Sequence, residues 1–175
     1  MQVFHLLDKA SIANKFVAEL RDVQVQKDSM RFRRNIERLG EILGYELSKT
    51  LSYTKRDIQS PLGVSEIELA KEDLVICSIL RAGIPLHMGL LNYFDAAENS
   101  FISAYRHHPN QDEEFEIKVE YLASPSIDGK ILVLADPMLA TGRYFVNVYN
   151  AIKTAGTPKE INVVSVIGSR QGVNY

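Results

Sequence analysis

The stretch from Ile131 to Phe145, ILVLADPMLATGRYF, decides the fold class of this chain. Residues 131–135 are apolar without interruption, which is typical of a strand buried on both faces of a parallel sheet. Asp136 therefore comes directly after the carboxyl end of a strand, where open α/β sheets bind ligands. Apolar side chains then recur at helical spacing from Phe145 to Ile152. The stretch predicts a strand, a ligand-binding loop and a helix, in that order.

The loop between this strand and helix combines a carboxylate with small residues. Ala140, Thr141 and Gly142 are small enough to let a phosphate group approach the backbone, and N–H groups at a helix start favour an anion. Asp136 would repel phosphate alone, so the ligand should also carry hydroxyl groups, or a metal ion should lie between them. These residues predict a nucleotide or sugar-phosphate site. The alternative is an ordinary strand-loop-helix unit with an aspartate near the turn.

A second strand-loop-helix unit places a cation at the end of another strand. The apolar run Leu74–Leu80 predicts a buried strand, and Arg81, Ala82 and Gly83 follow it. The planar guanidinium of Arg81 suits the oxygens of a diphosphate, and the two small residues leave room for a ligand near the backbone amides. The alternative is that Arg81 pairs with a surface carboxylate.

Three further strands are expected in the second half of the chain. Ser100–Tyr105 predicts one strand, and residues 115–122 alternate as an antiparallel strand. The polar run 106–114 between them should be mobile. Ile161–Ile167 predicts another buried strand, which a third strand-end loop follows at residues 168–172.

The first part of the chain predicts helices and an arm. Apolar residues in the range 12–20 indicate a first helix, and Ser29 is a plausible N-cap for a second helix with an apolar stripe over residues 32–47. The arginines among residues 31–38 are interpreted as a solvated face balanced by glutamates. Leu51–Val64 predicts a β-hairpin or arm.

The composition suits a single globular domain of residues 1–175. Apolar residues make up 46% of the chain, and the formal net charge of −2 gives no global attraction to nucleic acid. A run of about 18 apolar residues, as a membrane span needs, is absent from the sequence, so we expect no membrane partner and, by default, a cytoplasmic location. Cys77 should be a buried core residue, and the four histidines lack the spacing of a zinc site.

Three motifs carry a resemblance to a known family. DPMLATG, residues 136–142, closely resembles the loop with which uracil phosphoribosyltransferases bind phosphoribosyl diphosphate (PRPP). ILRAG, residues 79–83, resembles the diphosphate loop of that family, and Tyr105-Arg106 resembles the start of its flexible loop. The resemblance covers most of residues 28–172. It implies an α/β fold with the parallel sheet of type I phosphoribosyltransferases, N-terminal helices and a β-arm or hood.

The resemblance also implies a reaction, in which uracil and PRPP give UMP and diphosphate in pyrimidine salvage, with Mg²⁺ carried on the diphosphate. Such a glycosyltransferase needs no nucleophile, because it mainly positions the reactants and stabilises the leaving group. Arg81 and Arg106 would neutralise the diphosphate, Asp136 would hold the ribose hydroxyls, and residues 140–144 would cradle the 5′-phosphate. The implied PRPP-binding residues are Arg81, Ala82, Gly83, Arg106, Asp136, Pro137, Met138, Leu139, Ala140, Thr141, Gly142, Arg143 and Tyr144; the resemblance assigns no uracil-binding residue.

The chain departs from the family pattern at its phosphate loop. The family loop usually ends in Gly-Gly-Ser, whereas Gly142-Arg143-Tyr144 stands here. Backbone amides and the charge of Arg143 should keep phosphate binding, although more weakly. In the family, the peptide bond between the residues matching Arg81 and Ala82 is commonly cis. The glycine-rich segment with which the family binds uracil is not in this sequence. We expect the natural protein to continue beyond Tyr175; the alternative is a homologue that has lost base recognition.

The expected partners are the substrates PRPP and uracil and a second copy of the chain. In the resembled family, an arm like Leu51–Val64 reaches over another subunit, which implies a homodimer or a higher homo-oligomer. The alternative function is a non-catalytic, nucleotide-sensing regulator with the same fold. Its binding to RNA would require a basic surface, and the slight net acidity of the chain argues against it.

Overall fold

The computed structural model describes residues 2–71, 73–107 and 116–174. Its helices and strands are, in chain order, α1 (Ala13–Arg21), α2 (Ser29–Ser48), β1 (Tyr53–Ser60), β2 (Gly63–Ala70), β3 (Leu74–Leu80), α3 (Ile84–Leu91), β4 (Glu98–His107), β5 (Glu116–Ala123), β6 (Ile131–Ala135), β7 (Met138–Leu139), α4 (Arg143–Ile152), β8 (Glu160–Val164), β9 (Ile167–Gly168) and α5 (Arg170–Asn174).

A five-stranded sheet organises the chain, with the strand order β5-β4-β3-β6-β8. Strand β3 pairs in parallel with β4 and β6, and β6 pairs in parallel with β8, while β5 runs antiparallel to β4. The expected α/β fold with a mainly parallel sheet is therefore confirmed. The parallel strands end at one edge, and β3, β6 and β8 each continue there into a loop.

Both faces of the central strands are buried, as the apolar runs predicted. On one face, Val75 and Leu132 belong to a core with Phe145, Val148 and Ile152 of α4. The other face forms a second core with α1, α2 and α3. All five residues of β6 are buried because helices cover the sheet on both sides.

The start of α2 differs from the prediction. The helix is capped by Asp28 rather than by Ser29, which is its first helical residue. The Asp28 carboxylate accepts hydrogen bonds from the backbone N–H groups of Met30 at 3.1 Å and Arg31 at 3.0 Å. A carboxylate can accept both bonds and also favours the positive end of the helix dipole, which explains the one-residue shift.

Glycines on α2 and α3 allow these two helices to pack closely. A Cβ added at Gly40 would lie 2.7 Å from the carbonyl oxygen of Leu86, and one added at Gly89 would lie 2.1 Å from that of Glu37. The α2 and α3 backbones are therefore in close contact.

Phe32, which the predicted stripe included, is 37% exposed.

The hairpin forms, and it is longer than the predicted segment. Strands β1 and β2 pair over their whole length, from Tyr53 opposite Ala70 to Ser60 opposite Gly63. Both strands are exposed almost throughout. The structure thus contains a projecting β-arm.

The predicted buried strand Ile161–Ile167 is wrong in two respects. Strand β8 ends at Val164, and Ile167 belongs to the short strand β9, which pairs with β7. Ile161 and Val163 are 41% and 47% exposed because β8 is the edge strand of the sheet. No helix among the described residues is long and apolar enough to span a membrane.

Candidate active site

The loops after β3 and β6 meet at the carboxyl edge of the sheet. A Cβ added at Gly83 would lie 3.2 Å from the carbonyl oxygen of Ala135, the residue before Asp136. The Asp136 N–H donates to the carbonyl of Val164 at the end of β8 at 3.2 Å. The loop after β3 and the carboxyl ends of β6 and β8 therefore lie close together, at the sheet edge that binds ligands in open α/β sheets.

The Arg81 loop places an exposed arginine directly after β3. Arg81 and Ala82 are exposed, and Gly83 is buried. Among the described residues, no carboxylate lies within ion-pair distance of Arg81. The alternative in which Arg81 pairs with a surface carboxylate thus gains no support within this part of the chain.

Two details of this loop differ from the sequence interpretation. A Cβ at Gly83 would lie 2.6 Å from the carbonyl oxygen of Ile79, so the glycine is required by packing as well as by any ligand. The cis peptide bond joins Leu80 and Arg81, one bond before the expected position.

Asp136 lies half-buried at the start of the next loop. One oxygen of its carboxylate, Oδ1, accepts a hydrogen bond from the Met138 N–H at 2.8 Å. Burial raises the pKa of Asp136 above its usual value, and the Met138 N–H opposes this by stabilising the anion. A carboxylate held in this way can accept hydrogen bonds from hydroxyl groups of a ligand.

The loop 137–142 is attached to a neighbouring segment. The Ile167 N–H donates to the carbonyl of Pro137 at 3.0 Å, and the Ser169 N–H donates to that of Leu139 at 2.9 Å. Gly142 has φ +78°, a left-handed conformation that favours glycine. The segment 167–169 therefore holds the loop along one side.

The other side of this loop offers hydrogen-bond donors. Within the described residues, the backbone N–H groups of Ala140, Thr141 and Gly142 donate to no acceptor. Helix α4 begins immediately afterwards at Arg143, whose side chain is exposed. Consecutive unpaired N–H groups before a helix suit an anion.

Tyr144 occupies the position at which the family usually has serine, and its hydroxyl has another use. The Tyr144 Oη donates a hydrogen bond of 2.7 Å to the carbonyl of Ala104 in β4. The first turn of α4 is thus tied to the strand that carries Arg106.

Arg106 lies near the end of β4, where its backbone pairs with Ile117 of β5. Residues 108–115, which include most of the predicted flexible loop, lie outside the described residues. The structure thus brings the loop 81–83 close to the end of β6, where the loop 136–144 begins. The backbone of residue 106 lies two residues further along β4 than Ala104, which the Tyr144 hydroxyl contacts.

Sequence interpretation missed the contribution of Ser169. Its hydroxyl donates to the carbonyl of Ala140 and accepts a 2.9 Å hydrogen bond from the Gly172 N–H. The only signal in the sequence was the strand-end loop 168–172, which gave no indication of its contact with the loop after β6.

Solved structures with this fold define the class of protein. A purine phosphoribosyltransferase from Pyrococcus horikoshii superposes with a TM-score of 0.58 at 15% identity, over 78% of this chain and 75% of that one. A hypoxanthine phosphoribosyltransferase from Staphylococcus aureus gives 0.54 at 17% identity, over 76% and 62%. The AQ2163 protein from Aquifex aeolicus gives 0.79 at 26% identity, over 99% and 78%. The fold is that of the type I phosphoribosyltransferases.

Comparison with known sequences gives the family. The family described as uracil phosphoribosyltransferase matches residues 7–175. The uracil phosphoribosyltransferase of Porphyromonas gingivalis is 48% identical over the whole chain, which spans 81% of that protein. That of Methanothermobacter thermautotrophicus is 36% identical over 84% of the chain and 68% of its own length. The chain belongs to the uracil phosphoribosyltransferase family.

Proposed function

We propose that this protein transfers the phosphoribosyl group of PRPP to uracil and releases UMP and diphosphate. The observation that carries the proposal is the loop after β6, in which Asp136 precedes the N–H groups of residues 140–142, which donate to no acceptor among the described residues. A carboxylate for hydroxyls and an amide cradle for phosphate match the two ends of a ribose 5-phosphate. Family membership favours this enzyme over the nucleotide-sensing regulator.

Residues 140–144 bind the 5′-phosphate in this proposal. The N–H groups of Ala140, Thr141 and Gly142 donate to its oxygens, and Arg143 adds a positive charge at the start of α4. Pro137, Met138 and Leu139 line the PRPP site between Asp136 and the residues that bind the phosphate. The hydroxyl of Tyr144 is engaged with Ala104, so it serves to hold the loop rather than to contact phosphate.

Asp136 accepts hydrogen bonds from the ribose hydroxyls. Burial raises the pKa of Asp136 above its usual value, and a hydroxyl that donates to the ionised carboxylate forms a strong bond. This fixes the sugar with C1 facing the base. The negative charge also favours the positive charge that develops on the sugar ring as the C1–O bond breaks.

Arg81, with the amides of Ala82 and Gly83, and Arg106 bind the diphosphate. The absence of a carboxylate partner for Arg81 among the described residues supports this role, because its charge is available to a ligand. Neutralising the diphosphate stabilises the leaving group in the transition state, where its charge increases. Uracil N1 forms the new bond to C1 as the C1–O bond to diphosphate breaks, and the N1 proton passes to water. No covalent intermediate with the protein is needed.

Mg²⁺ fits this site as an ion carried by the substrate. In the part of the chain that the structure describes, no three His, Cys, Asp or Glu side chains come together as a ligand set. Mg²⁺ commonly uses one or two carboxylates together with phosphate oxygens and water, and Asp136 is the carboxylate in the loop. When bound, the ion supplies further neutralisation of the diphosphate.

A homodimer or larger assembly through the β-arm belongs to the proposal. Ile58, Ile67 and Leu69 point to one face of the hairpin and are 39%, 44% and 39% exposed. An isolated two-stranded hairpin is at best marginally stable in water. A second copy that covers this apolar face would stabilise the arm.

The proposed reaction belongs in the cytoplasm. PRPP carries several negative charges, and burying charge in hydrocarbon is costly, so it does not cross a bilayer unaided. The enzyme therefore acts where its substrate is made.

The test uses the protein at its natural length and measures the release of diphosphate from PRPP in the presence of Mg²⁺ with uracil, cytosine or hypoxanthine as the base. We expect release with uracil alone, accompanied by an equal amount of UMP. Release with another base but not with uracil would overturn the base assignment. A folded protein that binds PRPP and forms no nucleotide with any base would overturn catalysis.

A further inference from the structure

Ser169 lies outside the loop after β6 and contacts it through two different groups. Its backbone N–H donates to the carbonyl of Leu139, and its hydroxyl donates to the carbonyl of Ala140. These carbonyls belong to consecutive peptide groups. One residue therefore fixes the orientation of two neighbouring peptide planes.

The first plane joins Leu139 and Ala140. In a planar trans peptide, the C=O and N–H groups point in opposite directions. Because the carbonyl of Leu139 faces Ser169, the N–H of Ala140 faces away from it. That N–H is one of the unpaired donors that the proposed function assigns to the 5′-phosphate.

The second plane joins Ala140 and Thr141, and the side chain of Ser169 sets its orientation. A serine hydroxyl has one proton, and its oxygen can also accept. The Gly172 N–H occupies an acceptor position of Ser169 Oγ at 2.9 Å, so the proton is directed at the carbonyl of Ala140. The N–H of Thr141 consequently faces the opposite side, next to that of Ala140.

Gly172 keeps Ser169 close to the loop. A Cβ added at Gly172 would lie 2.8 Å from the carbonyl oxygens of both Leu139 and Ala140. These are the two carbonyls that Ser169 binds. The backbone of 169–172 thus lies directly on the two peptide groups, and a side chain at residue 172 would push them apart.

We propose that Ser169 is a positioning residue for the 5′-phosphate: through its hydroxyl it holds the Ala140–Thr141 peptide group so that the Thr141 N–H faces the phosphate. The inference rests on the proposed function, since it concerns the same phosphate loop. Without the hydroxyl, this peptide group is free to rotate and to turn its carbonyl, a partial negative charge, toward the phosphate.

The test compares Ser169→Ala with Ser169→Thr and measures inhibition by UMP and by inorganic diphosphate. UMP contains the 5′-phosphate, whereas diphosphate binds at the Arg81 loop. Loss of one hydrogen bond should weaken UMP binding by about threefold to tenfold, raise the KM for PRPP similarly and leave inhibition by diphosphate unchanged. Threonine keeps the hydroxyl and should restore UMP binding.

Two further variants separate positioning from general loss of stability. Thr154→Ala removes an exposed hydroxyl that donates to the Ala151 carbonyl at 2.9 Å, at the far end of α4, and should change neither inhibition constant. Gly172→Ala leaves the hydroxyl of Ser169 in place but displaces the loop, so it should weaken UMP selectively.

Each outcome bears on the proposal. Equal loss of UMP and diphosphate binding in Ser169→Ala, or unchanged UMP binding in a folded Ser169→Ala protein, overturns the role of Ser169 while the wild type still forms UMP. If the wild type itself neither binds PRPP nor forms UMP, the proposed function falls, and the positioning role falls with it.

Discussion

The hydroxyl of Tyr144 donates a 2.7 Å hydrogen bond to the carbonyl of Ala104, across 40 residues of the chain. The pairing of β3 with β4 ends at Ser103, and the β4–β5 ladder shifts its register between Ser103 and Ala104. The tyrosine therefore binds β4 where its regular ladders are interrupted. It joins the helix that follows the phosphate loop to the strand that carries Arg106.

Replacing Tyr144 with phenylalanine tests this link. We expect the free energy of unfolding to fall by about 1 kcal/mol, the usual net contribution of one hydrogen bond, with a higher KM for PRPP because the two anion-binding segments lose their connection. Chemical denaturation and steady-state kinetics measure the two effects. Tyr53→Phe is the matched control, because the Tyr53 hydroxyl donates to the Ser48 carbonyl at 3.0 Å on the exposed surface. A Tyr144→Phe protein with unchanged stability and KM would contradict the link.

We expect Asp136 to lower the free energy of unfolding of the protein while it contributes to ligand binding. Burial raises its pKa, so the folded state favours the protonated form. Its effect on stability is therefore most favourable at low pH and is lost as the pH rises through the raised folded-state pKa. Asp136→Asn should raise the free energy of unfolding at neutral pH by on the order of 1 kcal/mol and should abolish UMP formation.

The pH dependence provides the check on Asp136. The stability difference between Asp136→Asn and the wild type should shrink as the pH falls below the ordinary range of an aspartate, because both proteins are then neutral at this position. Asp95→Asn, at an exposed turn, is the control and should alter neither stability nor activity. A destabilised Asp136→Asn protein at neutral pH would count against the burial argument.

The contact between α2 and α3 predicts opposite effects for two glycines. Gly89→Ala places a Cβ 2.1 Å from the Glu37 carbonyl oxygen, so the helices must separate; we expect a loss of about 1–3 kcal/mol or more. At Gly44 the nearest atom to an added Cβ is a side-chain carbon of Leu90 at 3.5 Å, an ordinary contact. Gly44→Ala should be neutral or stabilising by up to about 1 kcal/mol, because alanine favours the helix. Thermal unfolding of both variants measures these stability changes. A Gly89→Ala protein as stable as Gly44→Ala would show that the helices do not approach so closely.

The apolar face of the β-arm predicts the basis of assembly. Ile67→Arg places a second positive charge directly opposite Arg56 and should convert the assembly to a monomer, because burying unpaired charge is unfavourable. Glu68→Gln alters the opposite face of the same strand and should leave the mass unchanged. Light scattering at roughly tens of micromolar protein measures both. A monomeric wild type at that concentration would refute assembly through the arm.

The parts of the fold that follow from local pattern were predictable. The runs Leu74–Leu80 and Ile131–Ala135 form buried strands with the predicted bounds, because helices cover both faces of the sheet. The hairpin was predicted too short. Its second strand extends to Ala70 and includes Ile67 and Leu69, which lie beyond the predicted segment.

The parts that depend on long-range contacts were not predictable. The burial of Ile161–Ile167 was overestimated, because an edge strand and a central strand can share one apolar pattern. Asp28 and Ser29 are both good caps, and only the geometry of the accepted N–H groups separates them. The contact of Ser169 with Ala140 joins residues 29 positions apart, and the sequence pattern contains no signal for it.

The central claim is that Arg81, Asp136 and residues 140–144 form one site for PRPP. Isothermal titration of the purified protein with PRPP and Mg²⁺ tests it most directly, with Arg81→Ala and Asp136→Asn as the comparison. We predict a saturable heat for the wild type, with a Kd in the micromolar to millimolar range typical of enzyme substrates, and binding at least tenfold weaker in each variant. A folded wild-type protein that gives no binding heat at millimolar PRPP, or variants that bind as tightly as the wild type, would contradict the account.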